Sequence, residues 1–264
     1  MADRGVASRR DCERLIEEGK VIVNGRRTSR LPVFVDPDAD TIVVNGHPLP
    51  KPVRPAYILL HKPPRTLATT RDDPTLGVQR TTITDLIDHP SKARLFPVGR
   101  LEFHASGLVL LMTDGDLAHR LTHPRYGIPR TYEALVKRRL TQADLSQMEQ
   151  AFTVRERGQV RAAGGVVVLN LLKHDADRSL IEIILREGPN RQVGDVLARL
   201  GCPVKKLRRT GIGPLRLKGL AVGAWRQLTG PEVRALTRLT QPKRPGAAGT
   251  RPRRPAPPPA EATE

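Results

Sequence analysis

"VGRLEFHASGLVLLMTDGD", residues 98–116, decides how this chain is to be read. Leu108 to Met112 form an unbroken apolar run, short enough for a strand and bounded by turn-forming residues on both sides. Such a run fits a strand. In front of it lies a tight polar segment holding Arg100, Glu102, His104 and Ser106. Glu102 is then either a surface acid in a strand-entry turn or a carboxylate set at the mouth of a strand to do chemistry. Behind the run, "DGDLAHRLTHP" reads as a capped helix that ends before Pro124.

Outward from this stretch the pattern is consistent. "YILLHKPP" is a buried strand stopped by prolines, and "TTITDLIDHP" holds a short helix. "TYEALVKRR", "GVVVLNLLKH" and "RSLIEIILREG" are strand-like and rich in β-branched residues. "NRQVGDVLARLGC" is helical, with Val193, Val196, Leu197 and Leu200 at helical spacing. Strands that mostly follow one another, with interspersed helices and no βαβ rhythm, predict an α+β domain on a mixed, largely antiparallel sheet over residues 56–240.

The N-terminal 48 residues form a separate small module. Ser8, with Asp11 three residues on, predicts the cap of a helix beginning at Arg9. Cys12, Leu15 and Ile16 share one face, Arg9, Arg10 and Arg14 lie largely off it, and Gly19 stops the helix. "KVIVNG" and "DTIVVNG" follow as two short strands, each ending in the Asn-Gly pair favoured in tight hairpins. A short helix with basic flanks and small strands suits a compact RNA-binding module over residues 1–48. Residues 49–55 read as a proline-rich linker. The last 24 residues, 241–264, hold seven prolines and five basic residues without apolar periodicity, so they read as a disordered basic tail.

Charge points to the partner. The chain carries 45 Lys and Arg against 27 Asp and Glu, a formal net charge of +18. Residues 151–240 hold 17 basic and 7 acidic side chains, so most of the excess lies there. Counterion release makes a polyanion the natural partner of such a chain. Aromatic residues are only 3%, too few for a broad stacking platform, so backbone phosphates and shape should dominate contact. The acid-free run Lys205, Lys206, Arg208, Arg209, Arg216 and Lys218 is the strongest candidate RNA surface after the module's Arg9, Arg10 and Arg14. No apolar run approaches a membrane span and the first residues lack the apolar core of a signal peptide, so the protein is expected in the cytoplasm. Cys12 and Cys202 stand far apart with no ligand spacing around them, which speaks against a disulfide or zinc framework.

Other chemistry finds little support. Neither a P-loop nor a dinucleotide-binding glycine fingerprint occurs. His119 and His123 lie four apart on a helix but lack the glutamate of a zinc-protease motif and a third ligand, so no metal is expected. His104 and Ser106 have no oxyanion glycine pattern around them.

With these residues in view, "RLFPVGRLEFHASGLVLLMTDGDLAHRLTHPRYGIPRTYEALV" resembles the core of the bacterial ribosomal-RNA pseudouridine synthases of the RsuA/RluB group. "HKPPRTLATTRDDPTLGVQRTTITDLI" upstream and "EGPNRQV…RRTGIGPLRLKGLAVGAWRQLT" downstream are similar to the same family in the same order. "GVASRRDCERLIEEGKVIVNGRR" resembles the αL, or S4-like, RNA-binding domain that these enzymes carry in front. Only "MADR" precedes that stretch, so the module's first helix is expected to be truncated.

The resemblance implies isomerisation of uridine to pseudouridine in folded ribosomal RNA, by a monomer without cofactor or metal. It assigns the reacting carboxylate to Glu102 and uracil stacking to Tyr132. Flipping and substrate contact fall to Arg100, Arg130 and Arg191. The sequence closing in "GAWRQLT" is closer to the large-subunit branch. Two positions depart from the family. Relatives carry aspartate where this chain has Glu102, and they read G-R-N-R-Q-V-R-R where it has "GPNRQVGD", so Gly194 replaces the arginine that pairs with the acid. Without a cationic partner, a partly buried carboxylate is harder to ionise. The alternative is therefore an RNA-binding relative, impaired in catalysis, that acts in ribosome assembly.

Overall fold

The computed structural model describes residues 1–36, 39–73, 75, 77–152, 155–156, 159–160, 167–186 and 193–241. The expected disorder of the tail falls on residues 242–264, outside the described residues. Among the described residues, no helix is long and apolar enough to cross a membrane.

The N-terminal module begins with a short 3-10 turn, Ala2–Arg4, followed by α1 (Arg9–Glu17). Ser8 caps α1 by accepting from the Asp11 amide at 3.2 Å, a contact of the kind worth about 1 kcal/mol. Four short strands follow: β1 (Val21–Val23), β2 (Arg26–Thr28), β3 (Ile42–Val44) and β4 (His47–Pro48), ordered β2-β1-β3-β4 and antiparallel throughout. The β1–β2 and β3–β4 loops are Asn24-Gly25 and Asn45-Gly46, and all four residues have positive φ, as the twist of a two-residue hairpin demands. Val21, Ile42 and Val44 form the module's small core, against which Leu15 and Ile16 of α1 pack. Cys12 is buried beside them and Cys202 is buried in the larger domain, both as free thiols.

Residues 49–56 form no regular element, and the large sheet starts with β5 (Tyr57–Lys62). The remaining strands are β6 (Phe96–Pro97), β7 (Ser106–Met112), β8 (Arg130–Val136), β9 (Arg155–Glu156), β10 (Gln159–Val160), β11 (Val167–His174), β12 (Ser179–Leu185), β13 (Val204–Ile212), β14 (Leu215–Arg216) and β15 (Trp225–Gln227). Among the described residues, strands β9 and β10 pair only with each other. The others make one sheet in the order β11-β12-β8-β13-β7-β5-β15, with β14 added to β13 and β6 to β7. Among the described residues every strand pairing of this sheet is antiparallel except β13 with β7, so the α+β expectation of a mixed, largely antiparallel sheet holds.

Helices cover both faces, which explains the continuous apolar runs of the central strands. Val109 and Leu111 of β7 join Ile58 and Leu60 of β5 in one core. That core also takes up Leu145 and Met148 of α3 (Gln142–Phe152) and Val193 and Leu197 of α4 (Val193–Arg199). Leu108, Leu110 and Met112 point to the opposite core, with Leu117 and Leu121 of α2 (Gly115–Thr122) and Leu236 of α5 (Gly230–Leu239). Asp114 caps α2, and the helix stops before Pro124 as its sequence predicts.

One local expectation changes. "TTITDLIDHP" folds as successive turns, not a helix. The amide and hydroxyl of Thr82 both donate to the Asp85 carboxylate, at 2.8 and 2.9 Å, and such side-chain bonds compete with the helical ladder. Ile83 and Ile87 are nevertheless fully buried. The basic run from Lys205 to Arg209 is part of β13, a nine-residue strand at the sheet's centre.

Candidate active site

The polar segment ahead of β7 is a loop held from several directions. Leu101 and Ala105 are buried in the core beneath it, and the Ala105 amide closes a turn on the Glu102 carbonyl at 3.2 Å. From β5, the Lys62 ammonium donates to the carbonyls of Thr66 (2.8 Å), Pro63 (3.0 Å) and Phe103 (3.2 Å), so all three of its donors are used. The Arg65 amide donates to the same Phe103 carbonyl at 2.7 Å. On the other side, Arg209 of β13 donates from Nη1 to the Arg100 carbonyl at 2.9 Å and from Nε to the Leu108 carbonyl at 2.7 Å. Glu102 is thus flanked by two anchored carbonyls, Arg100 and Phe103.

Two glycines make this packing possible. Gly107 has φ +117°, and a Cβ there would lie 2.2 Å from the Arg209 carbonyl oxygen. Only glycine lets β7 and β13 approach so closely in their parallel register, Arg208 beside Ser106 and Arg209 beside Gly107. Gly194 does the same for the acid. A Cβ on it would stand 3.0 Å from Glu102 Oε2, while its amide reaches Oε1 at 3.4 Å. The Glu102 carboxylate thus occupies the space beside the first turn of α4, with the Gly194 backbone amide as its neighbour.

The electrostatics follow from that setting. Burial pushes the half-buried Glu102 carboxyl above the usual glutamate value, and nearby Asp195 adds to the rise. The Gly194 and Val193 amides and His104 oppose it. Burial, with Arg209 as a cationic neighbour, brings Lys62 down to about 8. A carboxylate so placed can serve as nucleophile or base, because it is near the surface yet partly stripped of water.

The other candidates divide into three groups. Tyr132 on β8 is buried and sits opposite Arg209 of β13 in the register, within the same core as Leu101, Ala105 and Val193. Arg130, two residues earlier, lays its guanidinium over Gly99, with Nη2 3.1 Å from where a Cβ would be. Arg100 is exposed next to the loop. In the sheet register Tyr132 faces Arg209, which itself lies beside Gly107 at the start of β7, so Tyr132 stands one strand beyond the end of the Glu102 loop, while Arg130 reaches Gly99 ahead of that loop. Arg191 lies outside the described residues. Arg9, Arg10 and Arg14 are exposed on α1, where Arg14 pairs with Asp11. Lys205, Lys206 and Arg208 are exposed on β13, Arg208 in an ion pair with Glu133 at 2.7 Å.

Arg209 departs from its expected place on an RNA-contacting surface. Its side chain is fully buried, with 0% exposure, and reaches no phosphate from there. The run of cations hides the strand alternation that turns this one inward. Lys62 is a site residue that the sequence does not single out. A lysine closing an apolar run before "PP" carries no signal that its ammonium folds back under a loop forty residues away.

A separate groove of about 1180 Å³ opens between the N-terminal module and the sheet domain, lined among others by Arg9, Arg71, Lys92, Arg94 and His119. The His123 ring accepts from the Arg125 amide at 3.2 Å, which gives it a capping place in the turn after α2.

Comparison with known proteins agrees with this architecture. The family model described as RNA pseudouridylate synthase matches residues 56–199, and the S4 domain model matches residues 1–38. The chain is 39% identical over 237 residues to an uncharacterised RNA pseudouridine synthase of Aquifex aeolicus, covering 89% of this chain and 91% of that protein. It is 38% identical over 239 residues to the ribosomal large subunit pseudouridine synthase B of Bacillus subtilis, covering 90% and 94%. A crystal structure of a pseudouridylate synthase superposes with a TM-score of 0.60 at 26% identity, over 89% of this chain and 96% of that one. An S4 module ahead of a mixed sheet, an acid at the entrance of its central strand and the matches over both regions have one reading: the chain belongs to the RNA pseudouridylate synthase family.

Proposed function

We propose that this protein converts one uridine of large-subunit ribosomal RNA to pseudouridine, with Glu102 as the reacting carboxylate. The half-buried acid on its anchored loop carries the reading. The target nucleotide leaves its stack, at a cost of a few kcal/mol, and Arg100 and Arg130 take its phosphate and hold the vacated space. Glu102 then acts at the ribose as the C1′–N1 bond breaks. The freed uracil stays against Tyr132 and turns, C1′–C5 forms, and the proton leaving C5 is balanced by one gained at N1. No cofactor or metal enters this scheme. Arg191 is a further substrate contact.

RNA is gripped by Arg9, Arg10 and Arg14 of an S4-like module over residues 1–48, and by Lys205, Lys206 and Arg208 of a catalytic domain over residues 56–240. Residues 49–55 serve as the linker and 241–264 as a basic tail. The enzyme acts as a cytoplasmic monomer. The large-subunit assignment is supported by the Bacillus subtilis relative.

The test is direct. Purified protein incubated with unmodified ribosomal RNA is expected to create one carbodiimide-dependent reverse-transcription stop in the large-subunit RNA. Glu102→Ala should abolish the stop while RNA affinity survives. If the wild-type protein binds the RNA and leaves no stop, the enzymatic reading fails, and the non-catalytic assembly factor takes its place.

A further inference from the structure

The buried arginine beneath the loop has no evident reason to be a cation. Among the described residues Arg209 makes no ion pair, and burial pulls its guanidinium below its ordinary pKa. Lys62 is a second buried cation close enough to be lowered by it. Two unpaired cations under one loop are costly, and apolar side chains of similar volume would pack the same space at less expense.

What the pair of carbonyls requires is a planar fork. Nε meets the Leu108 carbonyl at 2.7 Å and Nη1 the Arg100 carbonyl at 2.9 Å, so one rigid group spans the loop's beginning and the first residues of β7, with Glu102 between them. An ammonium, as Lys62 shows, can gather several carbonyls around one point, whereas the planar fork of arginine aims two nitrogens at two separated carbonyls in a fixed relation. The third nitrogen, Nη2, is buried without a hydrogen bond of ordinary geometry. Tyr132 is the register partner of Arg209 on β8 and interacts favourably with the guanidinium charge, against the opposing charge of Arg130.

We propose that Arg209 is a positioning residue for the isomerisation: its guanidinium ties the acid's loop to β7 from the strand position that faces Tyr132, fixing acid and tyrosine in one relative geometry. The proposal rests on the reading of Glu102 and Tyr132 as the groups that meet the nucleotide. Gly107 is part of the device, since its missing Cβ brings the Arg209 backbone against β7.

Arg209→Lys and Arg209→Gln test it. Single-turnover tritium release from RNA carrying C5-tritiated uridine gives the rate. Filter binding gives the RNA affinity and thermal melting reports the fold. Both variants are expected to melt cooperatively, to bind RNA within about twofold of wild type, and to lose about ten- to a hundredfold in rate, the size of effect that a misplacement near 1 Å produces. Tyr132→Phe should lower the rate in the wild-type background and add little in Arg209→Lys, because the two groups act together. A wild-type rate in Arg209→Lys, a rate loss matched by an equal loss of RNA affinity, or full additivity with Tyr132→Phe would each overturn the proposal. Failure of both variants to melt cooperatively would also overturn it, by making Arg209 a stability element. Glu102→Gln in the same assay separates the two readings: if it retains activity, the assignment of the acid fails whatever Arg209 does.

Discussion

Gly194→Ala is a small change with a calculable consequence. Gly194 lies in the first turn of α4 with φ outside the left-handed region, so an alanine backbone fits there without strain. Helix propensity alone would favour alanine by about 1 kcal/mol. The new Cβ, however, stands 3.0 Å from Glu102 Oε2, where ordinary contact begins at 3.4 Å. One of the two must give by roughly half an ångström. The loop backbone is pinned at the Arg100 and Phe103 carbonyls, so the carboxylate moves. If 1 Å of misplacement costs about 100-fold, half of that costs about tenfold. We therefore expect single-turnover rates near a tenth of wild type, RNA affinity unchanged, and a melting temperature equal to or slightly above wild type. The shorter acid of Glu102→Asp clears the added methyl group, so Gly194→Ala should cost nothing further in that background. A wild-type rate in Gly194→Ala, or the same penalty with aspartate at 102, would refute the reasoning.

Glu102→Gln should be inactive yet more stable. Burial lifts the Glu102 carboxyl above its ordinary 4.5 in the folded protein, while the unfolded chain keeps the ordinary value. The folded state then binds the proton more tightly, and stability falls as pH rises through the interval between the two values. The melting temperature of Glu102→Gln is therefore expected to exceed wild type at pH 7 to 8, with the gap closing as pH falls toward 4.5. A gap independent of pH would contradict this. On the RNA side, Lys205→Ala with Lys206→Ala should weaken binding to all sequences alike. It should also reduce the slope of log affinity against log salt by about 1.5, since two phosphate contacts are lost. An unchanged slope would remove both lysines from the interface.

The amino-acid sequence alone carries the strand and helix around the site, because their signals are local. The apolar run Leu108–Met112, the Asp114 cap, the stop before Pro124 and the two Asn-Gly hairpins depend on residues adjacent in the chain. The acid at 102 also stands out in the sequence, as a carboxylate in a polar segment directly ahead of an apolar run. Where local signals conflict, the sequence misleads. "TTITDLIDHP" has helical spacing at Ile83 and Ile87, yet Thr82 and Asp85 turn the backbone through side-chain bonds. Strand β13 hides its alternation under charge, since five of its nine residues, Lys205, Lys206, Arg208, Arg209 and Thr210, are polar.

Only the tertiary structure decides which cations face solvent and which are buried against the Glu102 loop. Arg208 and Arg209 are neighbours of the same type, and the sheet sends the first to solvent and the second into the core. Lys62 and Arg209 are far from Glu102 in sequence and meet its loop through backbone carbonyls, which every residue possesses and no sequence pattern marks. That Gly194 leaves room for the Glu102 carboxylate is visible the same way, in the distance from a missing Cβ to an oxygen 92 residues away.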